Sequence, residues 1–480
     1  MISKMLNKWR AIPLTVKVSS AYAICSILQR CLSFFTLPLF TRLLTTEQYG
    51  EYTVYQSWSN IITIFVTLNL AYGSFSTAMV KFEKHRSEYV SAIQGICIML
   101  TALFLAIYLP FSDFFNEFFD MPTFLMVVML LEILFTCSLH LWMAKNRFEY
   151  KYKSVVLVTL INAIAAPSTA FILVNLTEQK GTARILGYAF TYIAIGFFFF
   201  VYNIFKGKKI YNKEFWSYAL KFNIPLLVYY LSQVVFNQSD RIMINHYCGT
   251  DAAAMYGVAF NLAMILTFVL NSINGSYVPW FYGKLKEGKA KENQGVACGI
   301  AVLLGILLLA VIWYAPEIIL IMAGAKYNEA IPVVAPVAMS ILLLFYSQLF
   351  INMEFYYEEK KRLVLASIAS AIVNIALNAW VIPNISFVAA GYSTFVSYIL
   401  FAFCNYLAVR NLINSKHAVS DAYNIPALLG IFVAFVASSA LGMLLYDYLM
   451  IRIVITLAVL AVLFIFRNKL LSVLKTIKKR

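Results

Sequence analysis

The feature that most constrains this chain is its series of long apolar stretches. About fourteen of them are each roughly 20 residues long, enough for an α-helix to cross the ~30 Å hydrocarbon core of a bilayer. Such stretches fold as helices, because a backbone in lipid must satisfy its own hydrogen bonds. We therefore expect an all-α polytopic membrane protein. The predicted spans are 17–42, 48–79, 89–110, 122–144, 154–176, 184–205, 215–246, 253–281, 295–315, 330–355, 363–383, 386–408, 425–446 and 450–466.

The charges of the loops predict the orientation of the chain. Most of the 38 lysines and arginines lie in alternate loops and in the two terminal segments. The loops on the other side hold only Lys180, Arg184, Lys326 and Arg452. Cytoplasmic loops of membrane proteins carry the excess of basic residues. We therefore expect both termini to be cytoplasmic, which requires an even number of spans.

The composition excludes the main soluble classes. With 62% hydrophobic and 12% charged residues, the chain is too apolar for a soluble globular protein. The net charge is +16, and the basic residues behind it lie next to the ends of the predicted spans, where anionic lipid headgroups attract them. We therefore expect no nucleic-acid partner. The outer loops are short, and the sequence contains no phosphate-binding glycine loop, zinc-ligand spacing or nucleophile elbow. We therefore expect neither an enzyme nor a protein with a metal or cofactor.

Several motifs recur along the chain at nearly one offset. Tyr49-Gly50 and Tyr256-Gly257 are 207 residues apart, and so are the triplets that begin at Phe148 and Phe355. The matches fall at equivalent places among the predicted spans. They indicate that the first twelve spans are two copies of a six-helix unit.

The duplication predicts the domain organisation. We expect a six-helix lobe at residues 1–206, a second at 207–412, and two additional helices with a basic tail at 413–480. Both copies enter the membrane in the same direction, so a pseudo-twofold axis along the membrane normal should relate them, as in transporters built from parallel repeats. Two lobes that rock about a central cleft favour a transporter over a receptor or a membrane enzyme.

Two arginines lie within the first predicted span. Arg30 is near its middle, where a charge costs about 2.5–3.5 kcal/mol and therefore needs a partner or a wet cavity. A guanidinium matches a phosphate bidentately, so Arg30 is a substrate-binding candidate, with a structural ion pair as the alternative. Arg42 ends the same helix and is either a second substrate contact or a side chain that extends to the outer headgroups.

The seventh span carries a polar stripe. Gln233, Asn237 and Asp240 lie on one helical face, with Arg241 beside them. Such a stripe must face either water or protein. We therefore predict either a substrate-binding cavity wall or a buried structural network at this face.

The fourth span contains Glu132, with His140 two turns later. A carboxylate within the membrane is a candidate for coupling transport to an H⁺ or Na⁺ gradient, and Asp240 is a second candidate. Hydrogen bonding of Glu132 to neighbouring helices is the alternative.

Two segments resemble the signatures of one transporter family. Pro38-Leu39-Phe40-Thr41-Arg42-Leu43-Leu44, followed by Glu47-Gln48-Tyr49-Gly50-Glu51-Tyr52, is similar to its first-helix signature. Asp240-Arg241-Ile242-Met243-Ile244, followed by Tyr256-Gly257, is similar to its seventh-helix signature. The family is that of the Wzx-type O-antigen and capsule flippases, within the multidrug/oligosaccharidyl-lipid/polysaccharide exporter superfamily.

The resemblance implies a protein of the bacterial cytoplasmic membrane that moves undecaprenyl-diphosphate-linked oligosaccharides to the periplasmic leaflet. It implies alternating access, with a cavity lined by spans 1, 2, 7 and 8, and it places polysaccharide polymerase and chain-length proteins among the partners. The same resemblance leaves a peptidoglycan-precursor (lipid II) flippase and a multidrug or cation antiporter as alternatives. A membrane polysaccharide polymerase is disfavoured, because no large outer loop is present.

Overall fold

The computed structural model describes residues 14–72, 74–357, 361–416 and 419–465. This part of the chain is helical, with short 3-10 turns and loops, and it contains no β-strand. The first helices are α1 (Leu14–Leu43), α2 (Thr46–Thr67), α3 (Phe75–Lys81), α4 (Arg86–Tyr108), α5 (Ser112–Phe119), α6 (Thr123–Phe148), α7 (Tyr152–Leu176) and α8 (Lys180–Gly207). They are followed by α9 (Lys213–Cys248), α10 (Thr250–Met264), α11 (Thr267–Lys286), α12 (Glu292–Trp313), α13 (Ala315–Met322), α14 (Ile331–Tyr356), α15 (Lys361–Asn384), α16 (Ala389–Lys416), α17 (Ile425–Leu444) and α18 (Leu449–Ile465).

The prediction of an all-α membrane protein is confirmed. Within the described ranges, 12 helical segments are long and apolar enough to cross a membrane. Every predicted span coincides with one helix or with two consecutive helices. The second predicted span corresponds to α2 and α3, and the last corresponds to α18. None of these three helices is among the 12 segments. A total of about fourteen crossings, each of roughly 20 residues, therefore remains a prediction, and so does the cytoplasmic position of the termini.

The chain divides into two compact units, residues 1–238 and 239–480. The dividing point lies inside the long helix α9 rather than in the loop that precedes it. The lobe boundaries at 206/207 and 412/413 rest on the internal repeat, which packing does not test. They remain predictions.

In the first unit, α8 packs against α4, α6 and α7. Gly187 permits the contact with α7, because a Cβ at this position would lie 2.3 Å from the Cα of Ala170. Inside this bundle the Asn203 amide donates to the Gln94 side chain at 3.1 Å and to the Ser138 carbonyl at 3.0 Å. These bonds satisfy buried amides that would otherwise destabilise the helix packing.

The second predicted span is broken into α2 and α3. Helix α2 begins with a capping box formed by Thr45 and Gln48. It ends where Leu68 and Asn69 take left-handed φ angles of 46° and 53°. This conformation is uncommon for residues other than glycine and marks a locally strained backbone. The break leaves a short irregular segment before α3, as in transporters whose discontinuous helices line a binding cavity.

In the second unit, α14 is the most enclosed helix and packs against α10, α12 and α16. Helix α17 lies against α12, and α18 is joined to α13 by an ion pair. Arg452, only 1% exposed, donates to both carboxylate oxygens of Glu317, at 2.6 and 2.9 Å. A bidentate pair of this kind fixes the orientation of both helices.

Candidate functional site

The first unit contains a polar cavity with two adjoining chambers of about 270 and 290 Å³. Both chambers are lined by Tyr72, Thr136, His140 and Tyr192. Each chamber is close in size to the smallest ligand pockets of proteins, and together they lie within the usual range. The break after α2 brings Tyr72 to the cavity, so the strained segment has a direct effect on the site.

One face of α6 forms a continuous wall of this cavity. Glu132, Thr136, His140 and Arg147 all line it, and their spacing keeps them on one side of the helix. The sequence pattern indicated Glu132 and His140 as polar residues of the fourth span, whereas Arg147 follows that span and was assigned to the basic loop after it. The spacing itself was the available signal, because polar residues four apart on an otherwise apolar helix share a face.

Among the described residues that line the chamber around Glu132, this glutamate is the one acidic or basic group besides the His140 imidazole. The Glu132 carboxylate accepts a hydrogen bond from the Tyr55 hydroxyl at 2.7 Å and is half-buried. Most of the other polar side chains here are amides and hydroxyls that can both donate and accept hydrogen bonds. They are Gln56, Ser59, Asn60, Thr63, Thr67, Asn69, Tyr72, Thr136 and Tyr192.

The other chamber contains a basic group. The Arg147 side chain is exposed and its guanidinium carbon lies 5.5 Å from the centroid of the Tyr22 ring. His140 packs its ring edge against Tyr72, with the centroids 6.3 Å apart. Gln29 of α1 completes this side of the cavity. The cavity is therefore electrostatically asymmetric, with a carboxylate in one chamber and a guanidinium in the other.

A different arrangement surrounds Asp240 in the second unit. Asp240 is 1% exposed and accepts hydrogen bonds from Tyr256 at 2.5 Å, Thr394 at 2.6 Å and Asn378 at 2.5 Å. Ser239 and Asn374 extend the network through a bond of 3.1 Å. The adjacent Arg241, which is only 7% exposed, also attracts the Asp240 carboxylate electrostatically. Burial of a charge is costly, so a buried carboxylate needs donors and a nearby cation of this kind.

The remaining residues of the predicted stripe lie in varied surroundings. The guanidinium of Arg241 is 4.2 Å from the centroid of the Phe260 ring. Gln233 and Asn237 are half-buried, and the Asn237 amide donates to the Gln233 carbonyl at 2.7 Å. The stripe thus contains a buried network at Asp240 and partly accessible groups before it. A substrate-binding role for these residues remains a prediction.

The predicted arginines of α1 are not part of this geometry. The Arg30 side chain lies outside the described residues. Arg42 is exposed near the end of α1 and does not line either chamber of the cavity. Substrate binding by these two side chains therefore remains a prediction from the sequence alone.

A family model described as polysaccharide biosynthesis protein matches residues 16–283, more than half of the chain. The chain belongs to this family. A second model, described as MatE, matches residues 225–380. A curated relative, the Lsg locus putative protein 1 of Haemophilus influenzae, is 24% identical over 375 residues, covering 75% of this chain and 89% of the relative.

Solved structures of transporters share the fold of this family member. A structure titled lipid II flippase MurJ in an inward closed conformation aligns with a TM-score of 0.67 and 13% identity, covering 93% of this chain and 99% of that chain. An inward-facing multidrug resistance MATE family transporter of the MOP superfamily aligns with a TM-score of 0.64 and 12% identity. The alignment covers 82% of this chain and 96% of that chain. The protein thus has the fold of multi-pass membrane transporters and flippases, not that of a catalytic enzyme, and it belongs in the bacterial inner membrane.

Proposed function

We propose that this protein is a flippase for undecaprenyl-diphosphate-linked oligosaccharide repeat units, the precursors of O-antigen or capsule. It moves them from the cytoplasmic to the periplasmic leaflet by alternating access, and it supplies a polysaccharide polymerase with its chain-length partner. The observation that carries this proposal is the polar cavity of the first unit, bordered by the break after α2. Amides and hydroxyls at this density suit the hydroxyl groups of sugars, and polar groups inside a membrane protein mark transport pathways.

Deletion of the gene tests the proposal. We expect complete lipid-linked oligosaccharides to accumulate in the cytoplasmic leaflet while the surface polysaccharide is lost. Re-expression of the wild-type protein should restore the surface polysaccharide. Accumulation of a peptidoglycan precursor would favour a lipid II flippase. Unchanged lipid-linked sugars with altered drug sensitivity would contradict the proposal and favour an antiporter, a function suggested by the MatE match.

The Asp240 cluster is proposed as the coupling site. Its carboxylate oxygens face the hydroxyls of Tyr256 and Thr394, and the Asn378 amide is close by. Burial of a carboxylate is costly and the three side chains that donate to Asp240 are neutral, so a proton or a Na⁺ ion is a suitable counter-charge in addition to the adjacent Arg241.

Substitution of Asp240 separates coupling from binding. The Asp240→Asn side chain keeps the size of aspartate but removes its charge. We expect this variant to bind lipid-linked oligosaccharide while transport loses its response to an imposed H⁺ or Na⁺ gradient. Glu132→Gln is the matched control for the second candidate carboxylate. A normal gradient response in Asp240→Asn, with loss in Glu132→Gln, would move the coupling site to the cavity.

A further inference from the structure

We propose that the cavity of the first unit has two chemically distinct subsites. Arg147, with His140 beside it, binds the phosphate part of the ligand. The chamber around Glu132 holds uncharged or amine-bearing sugars and rejects acidic ones. This inference rests on the proposed flippase function and extends it to the charge of the glycan and to the orientation of the ligand.

The basic neighbours Lys145 and Lys151 have a carboxylate partner, whereas Arg147 has none among the described residues. Lys145 and Lys151 both contact the Glu149 carboxylate, at 3.9 and 2.5 Å. In the described part of the chain Arg147 forms no ion pair, and its guanidinium is held near the Tyr22 ring. The planar fork of an arginine matches two oxygens of a phosphate, and contact with an aromatic ring limits the entropy lost on binding.

Two buried oxygen atoms at this cavity also point to a polar ligand. Thr136 Oγ1 and Asn162 Oδ1 have no hydrogen-bond partner among the described residues, and both side chains line the chamber that contains Arg147. Asn162 is only 6% exposed. Buried polar atoms without partners are costly, so a ligand with several hydroxyl groups would gain affinity by bonding to them.

The chamber around Glu132 selects against a second negative charge. Glu132 is the one carboxylate among the described residues that line this chamber, and the Tyr55 hydroxyl already donates to it. A uronic or sialic acid in this chamber would place two carboxylates beside each other, and like charges that face each other are disfavoured. Neutral sugars meet amides and hydroxyls, and an amino sugar would in addition form an ion pair.

The test uses the purified full chain in proteoliposomes with two probes. One probe is a short-chain polyprenyl diphosphate that carries an uncharged disaccharide. The other carries the same disaccharide with one sugar oxidised to a uronic acid. Binding of each probe and of inorganic pyrophosphate is measured alongside the rate of flipping. The variants are Arg147→Gln, Arg147→Lys and Glu132→Gln, with Lys153→Gln as the control.

Lys153 is a suitable control because it is an exposed base in the first turn of α7, close in sequence to Arg147, and lines neither chamber of the cavity. We expect Arg147→Gln to weaken binding of the neutral probe and of pyrophosphate about 10- to 100-fold, as expected for loss of a bidentate charged contact. Arg147→Lys should recover part of this loss, and Lys153→Gln should change binding less than about twofold. Glu132→Gln should raise the ratio of acidic-probe binding to neutral-probe binding, because it removes the negative charge that the uronic acid would meet.

Three results would contradict the proposal. Pyrophosphate binding that is unchanged in Arg147→Gln, with a normal thermal transition, would remove Arg147 from the site. Equal loss in Lys153→Gln would mean that general loop charge, and not this subsite, attracts the phosphate. Equal handling of both probes by the wild-type protein would disprove the selection by Glu132. If the wild-type protein flips neither probe, the flippase function itself fails, while the dependence of pyrophosphate binding on Arg147 still decides the subsite.

Discussion

The two units of this molecule treat a carboxylate inside the membrane in opposite ways. In the first, Glu132 borders an open polar cavity and accepts one described side-chain hydrogen bond, from Tyr55. In the second, Asp240 is enclosed and accepts three hydrogen bonds from side chains. A carboxylate in an open chamber is available to a large ligand, whereas an enclosed one can serve only a small ion or the packing of its helices. This difference supports the proposal that the sugar binds in the first unit and the coupling charge in the second.

The repeated Tyr-Gly motif shows the same divergence. In the second unit, the hydroxyl of Tyr256 donates to Asp240 at 2.5 Å. In the first unit, the ring of Tyr49 lies 4.3 Å from the guanidinium carbon of Arg184. The two tyrosines of the recurring motif thus contact an anion through the hydroxyl in one unit and a cation through the ring face in the other. The motif recurs along the chain, but the interaction of its tyrosine differs between the two places.

The largest expected effect distinguishes the two carboxylates. Asp240→Ala leaves three buried donors without their acceptor and should lower the free energy of unfolding by roughly 3 kcal/mol or more. Glu132→Ala removes one hydrogen bond beside a cavity and should cost about 1 kcal/mol or less. Denaturant unfolding of both variants in detergent measures the difference. Equal losses would mean that the two sites are not built differently.

A smaller effect distinguishes the two tyrosines. Tyr256→Phe removes a hydrogen bond to a charged group and should cost about 1.5–3 kcal/mol. Tyr49→Phe keeps the ring that faces Arg184 and should therefore cost less than Tyr256→Phe. Thermal unfolding of the two matched variants tests this pair. A larger loss in Tyr49→Phe would show that its hydroxyl, and not its ring, is important.

The sequence predicts the fold better than it predicts the site. The lengths of the apolar stretches were enough to locate each of the 12 described helical segments that are long and apolar enough to cross a membrane. The reason is that lipid permits few alternatives to a helix. The break after α2 was not predictable, since neither Leu68 nor Asn69 is a glycine or proline that would signal it. Hydrogen bonds from the Leu70 amide to the Thr67 carbonyl and from the Tyr72 amide to the Asn69 carbonyl, at 3.0 and 3.1 Å, form the turn at this break.

The site could be predicted only in part for a similar reason. The sequence indicated that Glu132 and Asp240 need partners, but it left open whether each faces a cavity or a network. The partners of Asp240 lie more than 100 residues further along the chain at Asn378 and Thr394, and no local pattern connects them. Arg147 was missed because a basic residue beside a membrane end is the ordinary expectation there.

The smallest expected effect concerns the ion pair of Arg452 and Glu317, in which a carboxylate has a direct cationic partner. The Arg452 guanidinium lowers the pKa of Glu317 below its usual value of 4.5. A lowered folded-state pKa means that the pair stabilises the protein above about pH 4.5 and loses this contribution as the pH falls through the folded-state value. The unfolding temperature of Glu317→Gln should therefore fall less steeply on acidification than that of the wild-type protein. Parallel curves for the two proteins would contradict this role.

Protection of a cysteine by the ligand tests most directly whether the open cavity of the first unit is the sugar site. In a background without native cysteines, Asn60→Cys places a thiol in the chamber around Glu132, and Asn378→Cys places one in the enclosed cluster. Labelling by a small polar thiol reagent is measured with and without a polyprenyl-diphosphate-linked disaccharide. We predict rapid labelling of Asn60→Cys that the disaccharide lipid suppresses, and little labelling of Asn378→Cys under either condition. Labelling of Asn60→Cys that the disaccharide lipid leaves unchanged, while flipping is active, would contradict the assignment of the sugar to this cavity.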